Sequence, residues 1–405
     1  MQNHRINPVT LLFVTGMFML QATAAYADDT QADNSAPPAP PVTPPVPGVQ
    51  IKGSENLTWD SNPLMLPGSQ KDLFGSITAP ELVLTSKTPT DNFSSDTILD
   101  ENIFNQSAFN STDFHEKANL SRQMSQWGAG IQGSVDYDTT RTSEITTYGL
   151  DLPYVRHTGL SATPDISYNL TSVDKFIFSA TAAKSSYDNA AFTNYEVFSF
   201  NPSYEHNFDP MNKGIFTLNV QRYQTTEGPT NKVDSIGPTV GWETLLTPRF
   251  TVKVDGGFQK SMQNSTLEVP GSSSWNYVFD ADLNYKGQQN NADLIASRAQ
   301  YPFANGTDTL LTSFLAKGTH AINDKIELNA MGNYQFANQP TGLSGTITLD
   351  KEYGAGGGLT YHLLQHLDAT ASYEYKNETL IGLPGTINDN VVLVGLAFHP
   401  FDAVQ

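Results

Sequence analysis

WNYVFDADLNY, residues 275–285, alternates without a break: Trp275, Tyr277, Phe279, Ala281, Leu283 and Tyr285 on one parity, Asn276, Val278, Asp280, Asp282 and Asn284 on the other. Successive side chains of a strand point to opposite faces, so this segment has one apolar, aromatic face and one face that is almost wholly polar. The same rhythm returns in Ile326, Leu328, Ala330, Gly332, Tyr334 and Phe336 against Glu327, Asn329, Asn333 and Gln335. It returns again in Leu367, Ala369, Ala371, Tyr373 and Tyr375 against Asp368, Thr370, Ser372, Glu374 and Lys376. A long chain of such segments with no helical period is all-β.

What covers the apolar face is suggested by the start of the chain. His4 and Arg5 precede an apolar run from Leu11 to Leu20, and Ala25-Tyr26-Ala27 forms a small-x-small site before Asp28. Residues 1–27 therefore read as a secretory signal peptide; the run is too short for a membrane-spanning helix. Residues 28–48, rich in Pro, Ala and Asp, read as an extended periplasmic linker. Cysteine is absent, which excludes a disulfide scaffold, a thiolate metal site and a cysteine nucleophile. The formal charge of −19 argues against nucleic acid as a partner, because phosphates call for Lys and Arg. Mean hydropathy is −0.34, which a transmembrane barrel can show because alternation hides its lipid face.

From residue 127 onward the chain divides into hairpins. Compact turns fall around Thr171–Asp174, Phe208–Lys213, Leu246–Arg249, Gly287–Asn291, Ile322–Lys325 and Leu364–His366. Longer polar connections fall at Tyr187–Asn194, Gln224–Lys232, Gln263–Ser273, Phe303–Asp308, Asn338–Lys351 and Asn377–Asp389, with Ile145–Tyr154 as a further extension. Short turns on one side and longer loops on the other are the asymmetry of an outer-membrane barrel. The expected fold is a closed antiparallel up-and-down transmembrane β-barrel over residues 49–405. Residues 49–126 show the rhythm faintly: Phe74, Pro80, Leu82 and Leu84 share one parity, as do Phe114, Ala118, Leu120 and Met124, but Glu116 and Arg122 interrupt the second set. Counting them as wall gives eighteen strands with both termini periplasmic; fourteen to sixteen is the alternative if they form a plug or periplasmic extension.

A sandwich would also alternate. Against it stand the aromatics placed near strand ends, Trp242, Trp275, Tyr285, Tyr301, Tyr361, Tyr373 and Tyr375, as in an interfacial girdle. By the opposite parity Glu205, Glu243, Lys253, Asp255, Asp280, Asp282, Glu327, Asp368, Glu374 and Lys376 are the candidate lumen-lining residues. The C-terminal segment from Val391 carries Phe398 and Phe401 as aromatic signals for the barrel-assembly machinery, displaced by Asp402–Gln405.

Several short stretches carry a resemblance: ENLTWDSN (Glu55–Asn62), TAPELVL (Thr78–Leu84), TPDISYNLT (Thr163–Thr171), SYDN (Ser186–Asn189) and PSYEH (Pro202–His206). With the overall pattern they resemble the outer-membrane β-barrel porins found near exopolysaccharide and PEP-CTERM surface-export systems. The resemblance implies a Gram-negative outer-membrane barrel with a role in the envelope or in passage of a polymer, and it brings no catalytic residues.

Motifs for chemistry are weak. His362 and His366 have the i, i+4 spacing of helical metal ligands but straddle an expected turn with no third ligand nearby. His157 near Ser161, Tyr187-Asp188-Asn189 and Gly354–Gly358 each read more simply as strand-end or crowded-strand features. No catalytic residue, cofactor or metal is expected. The expected partners are outer-membrane lipid and lipopolysaccharide, the assembly machinery, and saccharide or export components. The expected function is a porin-type channel for small hydrophilic solutes or saccharide chains. The alternative is a structural barrel with a closed lumen that anchors envelope partners.

Overall fold

The computed structural model describes residues 48–399 except 69–70, 144–154, 190–191, 228–230, 265–270, 303–307, 339–347 and 382–383. The segments expected to be signal peptide and linker, up to residue 47, the Ile145–Tyr154 extension and Phe401 fall outside those residues.

Eighteen strands follow one another: β1 (Gly48–Asp60), β2 (Leu73–Lys87), β3 (Asp91–Phe104), β4 (Ser111–Gln123), β5 (Trp127–Thr139), β6 (Arg156–Asn169), β7 (Asp174–Tyr187), β8 (Tyr195–Asp209) and β9 (Asn212–Thr225). They continue as β10 (Lys232–Thr247), β11 (Phe250–Gln263), β12 (Ser272–Lys286), β13 (Asn290–Pro302), β14 (Asp308–Asn323), β15 (Ile326–Asn338), β16 (Thr348–Leu364), β17 (Leu367–Ile381) and β18 (Ile387–Phe398). Each pairs antiparallel with its chain neighbours, and β1 pairs antiparallel with β18 from Gly53↔Phe398 to Asp60↔Val391. The sheet is therefore a closed barrel without a free lateral edge of the kind that invites aggregation. Residues 49–126 supply four wall strands, not a plug.

One end of the barrel is closed by tight turns whose side chains satisfy their own backbones. Asp209 Oδ1 accepts from the Met211 amide at 2.8 Å, Thr171 Oγ1 from the Asp174 amide at 3.0 Å, and Asn323 Oδ1 from the Lys325 amide at 2.8 Å. These are the short-range bonds that make Asx and Ser/Thr turns compact. Register shifts beside the turns at Asn207/Asp209, Leu245/Thr247, Ala321/Asn323 and His362/Leu364 bend the strand ends into them. The other end carries the longer connections.

Parity divides the wall into two surfaces. Outward lie large apolar side chains left exposed, among them Ile51, Leu57, Leu120, Phe178, Phe216, Val240, Phe258 and Val394. So continuous an apolar exterior is what lipid, not water, covers. At the turn end this exterior carries Trp242, Tyr285 and Tyr361, with Trp242 stacked on Phe208 at 5.0 Å between ring centroids. Toward the loop end it carries Trp275, whereas Tyr373 and Tyr375 stand in the middle of β17, with their hydroxyls reaching Asn390 and Asn388 of β18. Among the described residues no helix is long and apolar enough to cross a membrane.

Candidate channel lumen

The inner surface is polar because every second residue of every strand must face it. In the turn-end half, Glu205 and Glu243 flank Lys213 at 3.9 and 3.5 Å. Register continues this row from Glu243 through Lys253 to Asp282. One step toward the loop end, Asp255 stands directly opposite Asp280, an arrangement of like charges that costs stability in a sheet. Glu327 lies opposite Thr360. Asp368 is clamped between His362 Nδ1 at 2.7 Å and His399 Nε2 at 2.6 Å, so the first histidine of the His362/His366 pair is held by a carboxylate across the turn. Glu374 and Lys376 pair at 3.5 Å, with Lys376 in register with Asp389. Gly354, Gly356 and Gly358 share that inner face, opposite Lys376, Glu374 and Ser372. At Gly354 a Cβ would collide with the Asn333 Oδ1, so glycine gives the asparagine its room.

Parity also brings in acidic residues that the candidate set lacks. Asp96, Asp100 and Asp113 come from β3 and β4, and Asp136 and Asp138 from β5. His115 Nδ1 meets Asp136 at 2.5 Å and its Nε2 approaches Asp100 at 3.5 Å; His157 Nδ1 meets Asp138 at 2.9 Å; Arg156 meets Asp113 at 2.8 Å. Glu352, fully in register with Glu378, accepts from Asn333 at 2.7 Å and Gln335 at 3.0 Å. Glu378 is completely buried, and neither of its carboxylate oxygens has a hydrogen-bond partner among the described residues. The alternation VDYDT at 135–139 announces Asp136 and Asp138 as plainly as any strand in the second half.

One feature depends on tertiary placement, and one corrects an expectation that β13's own parity already contradicts. Arg141, in a helical turn (Thr140–Ser143) after β5, reaches back to Asp60 at the end of β1 at 3.0 Å and lies 4.8 Å from the Phe104 ring centroid. Tyr301 does not join the outer girdle. β13 pairs with β12 only as far as Arg298↔Phe279, whereas β12 continues to Ser272 against β11 and β13 continues to Pro302 against β14. The freed upper part of β13 leans into the barrel, where Ser261 on the inner face of β11 donates to Gln300 at 3.0 Å. Tyr301 and Leu311 then pack against an internal apolar cluster. That cluster joins Tyr195, Val197, Tyr223 and Val233 on the inner side of β8–β10 with Leu349, Leu380 and Ile387 of β16–β18, and it includes Met65 of the first connection. The loop end of the interior thus combines this apolar cluster with buried ion pairs such as Arg141–Asp60, Arg156–Asp113 and His157–Asp138, whereas the charged residues named in the turn-end half stand apart from it.

No protein-family model matches the chain, and no curated protein sequence is similar to it. Among solved structures it is similar to OccK2 (OpdF) of Pseudomonas aeruginosa in complex with glucuronate, with a TM-score of 0.48, 10% identity, and 87% of this chain and 98% of that one covered. It is similar to OpdQ of the same organism, at a TM-score of 0.47 and 11% identity, covering 88% and 98%. For the FrpB iron transporter of Neisseria meningitidis the values are 0.46 and 8%, with 82% of this chain but 62% of that one covered.

Proposed function

We propose that the chain is an outer-membrane channel for small hydrophilic solutes that favours cations, with its short turns and both termini on the periplasmic side. The observation that carries this reading is the two-surface wall: apolar outside, acidic within. Lys213, Lys253 and Lys376 on the inner face stand among a larger set of carboxylates, including Glu205, Glu243, Asp255, Asp280, Asp282 and Glu374. A lumen lined by one excess sign concentrates the opposite ion and raises the barrier to its own. The wall of eighteen strands is of the size that encloses an aqueous space. Passage of saccharide chains is the narrower reading, supported by the sequence resemblance alone.

The test is conductance of the refolded protein in a planar bilayer under a salt gradient, with oligosaccharides added afterwards. The expected result is a reversal potential of cation-selective sign that moves toward zero in the Asp255→Asn, Asp280→Asn, Asp282→Asn triple variant. Anion preference, or a selectivity unchanged in that variant, would overturn the reading. The apolar cluster at the loop end favours a second one, a barrel with a closed interior that serves as an envelope anchor; a silent bilayer with verified insertion would support it.

A further inference from the structure

Above the apolar band, the outward face of β7–β11 changes character abruptly. On β8 the order toward the loop end is Phe200, Phe198, Glu196; on β9 it is Phe216, Leu218, Val220, Arg222, Gln224. On β10 it is Val240, Pro238, Ile236, Asp234, Lys232; on β11 it is Val254, Gly256, Phe258, Lys260. Lys184 completes the set at the same end of β7. Register places them in adjoining rows, Lys184↔Glu196↔Gln224↔Lys232 and Arg222↔Asp234, with Lys260 between Ile236 and Trp275.

Within the patch Arg222 meets Asp234 at 2.6 Å, Lys232 meets it at 3.5 Å, and Lys184 meets Glu196 at 3.6 Å. The four cations outnumber these two carboxylates, and Lys260 has no ion-pair partner among the described residues. The Lys184 and Arg222 side chains keep 46% and 49% of their exposure. Such surface pairs are weak and leave their cations available to a stronger anion. The rim of β17–β18 differs: its outward residues at the corresponding level are Asn377, Asn388 and Asn390.

We propose that this patch binds the phosphate groups of an outer-leaflet glycolipid, whose acyl chains lie on the apolar residues immediately below. Because it faces out of the barrel, the patch can take no part in conduction. Its ligand needs anionic groups at the level of Lys184, Arg222, Lys232 and Lys260 and hydrocarbon at the level of Phe198, Val220, Ile236 and Phe258. A phosphorylated lipid meets both needs; phosphate and guanidinium or ammonium form charge-assisted bonds, and long basic side chains extend to the headgroup level while their stems stay on apolar surface. The inference rests on the membrane location and orientation proposed above, but not on conduction.

Detergent-purified full-length protein would be titrated with lipopolysaccharide, with the same lipid after enzymatic dephosphorylation, and with inorganic phosphate, and bound lipid read by native mass spectrometry. The phosphorylated lipid is expected to bind at least about tenfold more tightly than the dephosphorylated one, a difference of about 1.4 kcal/mol. Inorganic phosphate is expected not to compete at equal concentration. Lys184→Gln, Arg222→Gln and Lys260→Gln together should remove that preference while Lys351→Gln, elsewhere on the rim, should not. If the triple variant fails to fold, the single Lys260→Gln variant and the wild-type comparison of the two lipids still decide. Equal binding of both lipids, a preference surviving in the triple variant, or competition by inorganic phosphate would overturn the proposal. Conductance measured on the same samples reports separately on the channel.

Discussion

In the middle of β11–β15 the outward residues include Val252, Val254, Ala281, Leu283, Leu294, Ala296, Phe314, Ala316, Gly332 and Tyr334, and the small ones leave a shallow recess of about 560 Å³ on the exterior. Along β1–β4 the same surface carries three carboxylates. Glu55 accepts from the Thr78 hydroxyl, Glu101 from Thr112 at 2.7 Å, and Glu116 from both Ser95, at 2.6 Å, and Thr97. Their outward neighbours Leu57, Leu99, Ile103 and Leu120 are exposed apolar residues. Both regions keep extended antiparallel ladders, with a short gap between Thr78↔Glu101 and Glu81↔Ile98 in the first and an early end at Phe279↔Arg298 in the second. The difference shows that strand pairing does not require an apolar exterior; a charged one can be accommodated if hydroxyls on the adjoining strand supply the hydrogen bonds that lipid cannot.

The largest expected effect comes from placing a lysine at mid-strand in each region. Ala296→Lys should cost about 2–4 kcal/mol in urea unfolding from lipid vesicles, because nothing near it offers an opposite charge. Thr97→Lys should cost less than half as much, since Glu116 lies across the strand pair. Equal costs would mean that the two exteriors meet the same surroundings.

A smaller effect separates the carboxylate from its donors. The Ser95→Ala, Thr97→Ala double variant strips Glu116 of its partners and should lose about 1–3 kcal/mol, whereas Glu116→Leu should be close to neutral. A Glu116→Leu variant less stable than the double variant would show that the carboxylate has a role beyond self-satisfaction.

Smallest is a pair of glycine substitutions. At Gly395, in the β18 strand that meets β1, a Cβ would lie 2.5 Å from the Glu55 carbonyl oxygen, so Gly395→Ala should cost about 1 kcal/mol by forcing the strands apart. At Gly332 the nearest atom is the Gly354 carbonyl oxygen at 3.8 Å, and Gly332→Ala should change stability by no more than about 0.5 kcal/mol. Thermal or urea midpoints of the two variants in one lipid would rank them.

The same contrast explains what could be read in advance. Strands such as β12, β15 and β17 declare themselves because one parity is apolar throughout, and their inner residues follow by subtraction. In β1–β4 the outward Glu55, Glu101 and Glu116 blur the alternation, which is why residues 49–126 could be read as wall or as plug until pairing joined β1 to both β2 and β18. Asp136 and Asp138 needed only the parity rule. Tyr301 likewise follows from parity, since it shares the inner set with Ile295 and lies opposite to Leu294 and Ala296, whereas Arg141 on Asp60 and His399 on Asp368 depend on where loops and strand ends come to rest, and no local pattern encodes that.

The seam between β1 and β18 has a consequence for how the molecule is made. Every other strand pairs with a neighbour in sequence, and those hairpins can form early and locally. The seam joins Gly53 to Phe398, so its loop-closure entropy can be met only when the whole chain is present. Until then the growing sheet has two open rims, each able to pair with another molecule. A chain that ended before Ile387 would lack the partner that β1 meets at this seam, leaving β1 and β17 each with an open rim, so the final strand sets when this closure is complete.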